Sequence, residues 1–169
     1  VEIVMMDGTI CRVGGKTLDQ EGYDLMGLIC GSEGLLGVIT EATVKILKNP
    51  QVVKAALIGF PTIEEGGNAA SKIISSGIVP AGMEIMDKAL IEATDNFSKA
   101  GYPRDAELLL IVELDGTFSE VDELLNQVSN ICKKNNCSSL KLSKNEKERL
   151  SFWAGRKAAF PACGAMAPD

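Results

Sequence analysis

The chain has 169 residues, 46% hydrophobic and 24% charged, with a net charge of −6 at pH 7 and no histidine. That length suits one ordinary globular domain or two small ones, and the acidic balance excludes a nucleic-acid binder, which needs clustered Lys and Arg. Without histidine, Ser-His-Asp, Cys-His and most catalytic zinc schemes cannot be built from this chain alone.

The five cysteines, Cys11, Cys30, Cys132, Cys137 and Cys163, are odd in number and contain no C-x-x-C. They indicate neither a disulfide framework nor a metal cluster, and read as incidental thiols of a reducing cytoplasm. No apolar run is long enough to cross a bilayer.

In chain order, "VEIVMMDGTICRV" reads as two strands around an Asp7-Gly8 turn. "YDLMGLIC" is a short helical stretch. The segment "GSEGLLGVITEATVKIL" follows, with Gly31, Gly34 and Gly37 at every third position, then a strand whose Val38, Thr40, Ala42, Val44 and Ile46 face one way. Asn49-Pro50 closes it and marks the expected domain boundary, 1–50 against 51–169.

Beyond that boundary strands and helices alternate. "VVKAALIGF" (52–60) is a strand, Thr62 and Glu65 make a capping box, and the helix behind them carries Ala70, Ile73 and Ile74. "AGMEIM" is a short strand, with Asp87 capping a helix that bears Leu90, Ile91, Thr94 and Phe97. "AELLLIVEL" (106–114) is almost continuously apolar, as a strand buried on both faces would be. A second capping box, Thr117 and Glu120, opens the clearest amphipathic helix, with Phe118, Val121, Leu124, Leu125, Val128, Ile131 and Cys132 on its apolar side. "SSLKLS" is the fourth strand. A last helix from Asn145 sets Leu150, Trp153, Ala154 and Lys157 on one face and stops near Pro161, before a loop-like "ACGAMAPD". Setting aside the helix after Asp87, residues 52–143 read β-α-β-β-α-β, the ferredoxin-like order. The fold class is α+β. That arrangement hosts many functions and decides none.

Two glycine motifs need weighing. "VGGKT" (13–17) fails as a phosphate loop, because Ile10 stands where that loop requires glycine. "GSEGLLG" is not the dinucleotide fingerprint either. Its spacing fits equally a tight packing turn or a backbone that a cofactor approaches closely.

The wording of that stretch is more specific. "GSEGLLGVITEATVKILKNP", with "MMDGTI" and "YDLMGLIC" before it, resembles the end of the FAD-binding (PCMH-type) domain of vanillyl-alcohol-oxidase-type flavoproteins, in the glycolate oxidase and D-lactate dehydrogenase branch. "GFPTIEEGGNAA", "GIVPAGMEIMD", "VELDGT" and "FWAGRKAAFPA" follow in the order of that family's C-terminal domain, so the resemblance spans essentially the whole chain.

The resemblance implies a C-terminal piece of the FAD-binding domain followed by the front of the substrate domain, with both ends cut. It implies that Glu33, Gly34, Leu35, Leu36, Gly37, Val38 and Ile39 line FAD largely through backbone, with Gly34 and Gly37 kept small for it. Arg156, flanked by Trp153 and Phe160, would hold the substrate carboxylate, for which a guanidinium fork is suited. No residue is assigned as catalytic base or metal ligand, since the family's histidines have no counterpart here.

The implied activity is oxidation of a D-2-hydroxy acid, glycolate or D-lactate, with electrons passing from FAD to a separate acceptor. The isolated chain is expected to be inactive and empty of FAD. Partners in view are the small hydroxy acid, a membrane surface or other oxidase subunits, and a homodimer paired through exposed sheet edges. The alternative reading is a stand-alone ferredoxin-like binding or assembly module without cofactor.

Overall fold

In the computed structural model, which describes residues 1–17 and 22–166, the chain divides between Lys48 and Asn49 into two units. The weakly patterned residues 18–21 and the final 167–169 lie outside the described residues.

The first unit is a three-stranded antiparallel sheet in the order β2-β1-β3, formed by β1 (Glu2–Val4), β2 (Ile10–Arg12) and β3 (Val38–Glu41). The Asp7-Gly8 hairpin is present. Gly8 takes φ +84°, its N–H donates to the Met5 carbonyl, and the Asp7 carboxylate accepts from the Thr9 N–H at 2.9 Å. Charged ends pin the strands together, with Arg12 reaching Glu2 and Glu41 and the Thr40 hydroxyl donating to Glu2. A one-turn helix, α1 (Leu25–Ile29), is capped by Asp24, whose side chain accepts from the Gly27 N–H.

The expected strand through Ile46 is shorter than its alternation suggested. It stops at Glu41, and Val44 and Ile46 are exposed. Periodicity marks where a strand could run; pairing decides where it does, and β1 supplies partners only as far as Glu41.

The second unit runs β4 (Val52–Phe60), α2 (Ile63–Ser75), β5 (Gly82–Asp87), α3 (Lys88–Ser98), β6 (Leu108–Gly116), α4 (Phe118–Lys134), β7 (Ser139–Leu142), α5 (Glu146–Lys157) and α6 (Ala159–Met166). Its sheet has the order β5-β6-β4-β7, antiparallel throughout, which is the ferredoxin-like arrangement expected.

Both faces of the central strands are covered. Ala56, Ile58 and Phe60 of β4 join Leu108, Leu110 and Val112 of β6 beneath α2 and α4, through Ile73, Val121, Leu125 and Val128. Ala55, Leu57, Leu109 and Ile111 face the other way, onto Met86, Ile91 of α3, Tyr102 and Phe152 of α5. This double burial is why 106–114 can be so apolar. Each fully buried Leu or Ile contributes about 1.5–3 kcal/mol over its exposed state.

The helix starts follow their side chains. Thr117 and Glu120 form the reciprocal capping box. Thr62 caps α2 by accepting from the Glu65 N–H, but the Glu65 carboxylate does not return to the Thr62 backbone; it accepts from the Thr62 hydroxyl and the Asn136 amide instead. Asp87 and Asn145 cap α3 and α5.

Several helix positions differ from the sequence expectation, among them Ile74 of α2 and Phe118 of α4, read as apolar-face residues but 51% and 60% exposed. On α3, Ile91 and Thr94 are buried as expected, but Phe97 is 54% exposed and Asp95 is buried. On α5, Phe152 and Gly155 are buried while Leu150 is exposed. The chain also does not stop at Pro161, which sits in the first turn of α6, where proline's missing N–H is tolerated. Most of "ACGAM" is therefore helical rather than loop.

Candidate functional site

After α1 the glycine segment makes two tight turns. Ser32 N–H donates to Ile29 O and Leu35 N–H to Ser32 O, with Gly31, Glu33 and Gly34 at φ +88°, +51° and +81°. Glu33 is the unusual member, because the left-handed conformation costs a side-chain-bearing residue about 1–2 kcal/mol. A Cβ added to Gly31 or Gly34 would meet nothing within 4 Å. Among the described residues the N–H groups of Glu33 and Gly34 have no acceptor.

The two glycines assigned to cofactor contact differ in why they are glycine. Gly37 is buried, at φ +151°, and a Cβ there would stand 2.8 Å from the Ile3 side chain and the Val4 carbonyl. The close approach at Gly37 is made by the chain's own β1. Gly34 is the one whose missing side chain leaves open space. Around it the apolar side chains face outward: Leu35 is 82% exposed, and Leu36, Val38 and Ile39 are exposed as well. Val38 and Ile39, as neighbours in β3, are exposed on opposite faces of the sheet.

The second cluster lies where side chains of α5 reach β5 and β6. Gly82, Glu84 and Met86 alternate onto one side of β5, and Gly82 lies under the Trp153 ring, 3.2 Å from where its Cβ would be. Trp153 donates its indole N–H to Glu113 at 2.6 Å, and Arg149 donates to the same carboxylate oxygen at 2.6 Å. Arg149 also binds Glu146, and these contacts hold its guanidinium well above the usual arginine range.

The two arginines of α5 are used differently. Arg149 is only 16% exposed and committed to two carboxylates. Arg156 is 40% exposed and spends one N–H, its Nε donating to Glu84 at 3.0 Å. Its terminal nitrogens make no hydrogen bond among the described residues. Its backbone is fixed from below, because the Tyr102 hydroxyl accepts from the Arg156 N–H at 3.1 Å and donates to Phe152 O at 2.5 Å. Burial raises the Tyr102 pKa, which keeps that hydroxyl a donor.

Arg156 was legible from its motif; Glu84 was not, because "GMEIMD" reads only as a strand. The flanking aromatics do not both attend it. Trp153 turns to Gly82 and Glu113, and Phe160 is 91% exposed on α6. Among the described residues no group of three His, Cys, Asp or Glu side chains could hold a metal ion, and no helix is long and apolar enough to cross a membrane.

Residues 49–168 match the family described as FAD linked oxidases, C-terminal domain, and the chain is a member of it. The chain is 46% identical over 169 residues to glycolate oxidase subunit GlcD of Escherichia coli (strain K12), covering 100% of this chain and 34% of that protein. It is 33% identical over 163 residues to D-lactate dehydrogenase (cytochrome) 1, mitochondrial, of Saccharomyces cerevisiae, covering 94% of this chain and 27% of that one. The chain thus spans about a third of the length of such relatives. A solved p-cresol methylhydroxylase with substrate bound shares the fold, with a TM-score of 0.68 at 15% identity over 94% of this chain and 39% of that one.

Proposed function

We propose that this chain is part of a flavoprotein oxidoreductase that oxidises a D-2-hydroxy acid, glycolate or D-lactate. The carrying observation is the 46% identity to a glycolate oxidase subunit along the whole chain, across both units. In this reading residues 1–50 are the end of the FAD-binding domain and 51–169 the beginning of the substrate domain. The family match favours it over a cofactor-free stand-alone module.

The segment from Glu33 to Ile39 fits a flat prosthetic group: open space over Gly34, and, among the described residues, two N–H groups without acceptors beside the exposed Leu35 and Leu36. These residues would hold FAD, which when bound supplies the hydride acceptor that no side chain can provide. Gly37 contributes by letting β1 approach, which keeps the segment in shape.

Arg156 binds and orients the substrate carboxylate. A guanidinium offers a planar pair of donors, so it fixes both position and rotation of a small acid. The electron acceptor is a separate protein or small molecule, and the location is cytoplasmic.

The test uses the full-length flavoprotein. Arg156→Ala is expected to lower kcat/KM for the hydroxy acid by about 100-fold or more, as loss of a bidentate charged contact does, with bound flavin unchanged. Gly34→Ala, whose Cβ would meet nothing within 4 Å of this chain although φ +81° strains it, is expected to lower the flavin absorbance per protein at an unchanged melting temperature. Full activity in the first variant, or full flavin in the second, would overturn the corresponding assignment.

A further inference from the structure

The carboxylate facing Arg156 within the chain is Glu84, and its place on β5 is odd for a charge. It lies on the inward-facing side of an edge strand, between a glycine roofed by Trp153 and the buried Met86. The group this half-buried carboxylate meets is the Nε–H of Arg156 at 3.0 Å. Both side chains remain about two-fifths exposed, at 40% and 38%.

The choice of nitrogen matters. A guanidinium has five N–H donors, one on Nε and four on the terminal nitrogens. Glu84 takes the Nε donor at the root of the group and leaves the terminal edge unbonded among the described residues. With the Tyr102 hydroxyl fixing the Arg156 backbone N–H, the arginine is held at two points along its length. The contrast with Arg149, whose guanidinium is committed to Glu113 and Glu146, shows that α5 can also close an arginine off.

We propose that Glu84 is a positioning residue. It holds the guanidinium of Arg156 by its Nε–H, so that the terminal nitrogens present a preset two-donor edge to the carboxylate of the hydroxy acid. This rests on the substrate role given to Arg156 above. A flexible arginine would have to be ordered by each arriving substrate; one already held loses less freedom on binding. The carboxylate of Glu84 also brings the pair to zero net charge, so an acid is captured by geometry more than by unopposed charge.

The experiment compares Glu84→Ala, Glu84→Gln and Arg156→Ala, and Glu84→Ala combined with Arg156→Ala, in the full-length flavoprotein. Each variant is checked for wild-type flavin content and melting temperature, and assayed for kcat, KM and inhibition by oxalate, a carboxylate with nothing to oxidise. Glutamine keeps an oxygen for the Nε–H and removes the charge.

Glu84→Ala is expected to raise KM and the oxalate inhibition constant together by about tenfold or more. Glu84→Gln should stay within about threefold of wild type, and Glu84→Ala should add nothing once Arg156 is gone. The inference is overturned if Glu84→Ala leaves KM and oxalate binding unchanged, if Glu84→Gln is as harmful as Glu84→Ala, or if the double variant shows additive losses. If Arg156→Ala itself leaves KM unchanged, the reading of Arg156 has failed and this one with it. If Arg156→Ala raises KM and Glu84→Ala does not, only the role of Glu84 is refuted.

Discussion

A Cβ placed on Gly155 would stand 2.4 Å from the ring of Tyr102, so the side chain missing from one residue is the space the other fills. Tyr102 is buried there, with its hydroxyl between the Phe152 carbonyl and the Arg156 N–H. The "WAGRK" glycine therefore serves the arginine beside it. It lets a tyrosine reach under α5 and grip the turn of helix that carries Arg156.

Gly155→Ala is expected to destabilise the protein by about 1–3 kcal/mol, because neither the helix backbone nor the buried ring can move away without loss of packing. Tyr102→Phe should cost about 1 kcal/mol, from the two hydrogen bonds the hydroxyl makes. Urea unfolding midpoints measure both; a neutral Gly155→Ala would show that the ring is loosely held.

Two adjacent glycines of α2 should respond with opposite signs. A Cβ on Gly66 would lie 2.4 Å from the buried Leu108 side chain, whereas one on Gly67 meets nothing within 4 Å. Gly67→Ala should stabilise by about 0.5–1 kcal/mol through helix propensity and the unfolded chain. Gly66→Ala should destabilise by about 1–3 kcal/mol. Thermal melts of the pair decide it.

Asp95 gives a pH-dependent contribution. Burial pushes its carboxyl up, but the Arg104 guanidinium at 2.7 Å and the N–H donors of Gly101 and Tyr102 together outweigh burial and hold it below its ordinary 3.8. A lowered folded value stabilises above the unfolded one and fades as pH falls through the folded one. Asp95→Asn should therefore cost about 1–3 kcal/mol near neutrality. The gap to wild type should shrink as the pH drops below about 4. A gap that persists undiminished in acid would assign the effect to shape rather than charge.

The thiols should divide by burial. Cys132 is fully buried and its pKa is pushed up to about 12, by burial first and then by the neighbouring Cys137. Cys30 and Cys163 are exposed. Brief alkylation of native protein at mildly alkaline pH, read by mass spectrometry, should label Cys30 and Cys163 and spare Cys132 until denaturant is added.

Much of the second unit could be read before any coordinates, because its signals are local. Thr117 and Asp87 cap the helices they were expected to cap, Asn145 stands where the last helix was expected to begin, and the run around Leu108–Val112 announced a strand covered twice. The misread faces have a common origin. Phe97 and Leu150 look like core by hydropathy alone, yet the inward positions beside them include Asp95 and Gly155, which hydropathy ranks low. Asp95 is admitted by Arg104 and two backbone donors, and Gly155 by the ring of Tyr102.

What the sequence by itself determined was the order and kind of elements, the likeness to a flavoprotein family, and the nomination of Arg156. Each depends on residues near one another along the chain. Only the tertiary structure decided why Gly37 is glycine, since Ile3 and Val4 reach it from another strand, and which of two arginines stays open. It also decided that Glu84 faces Arg156 across 72 positions of sequence. Such pairings depend on how the chain closes on itself, and no local pattern of residues carries that information.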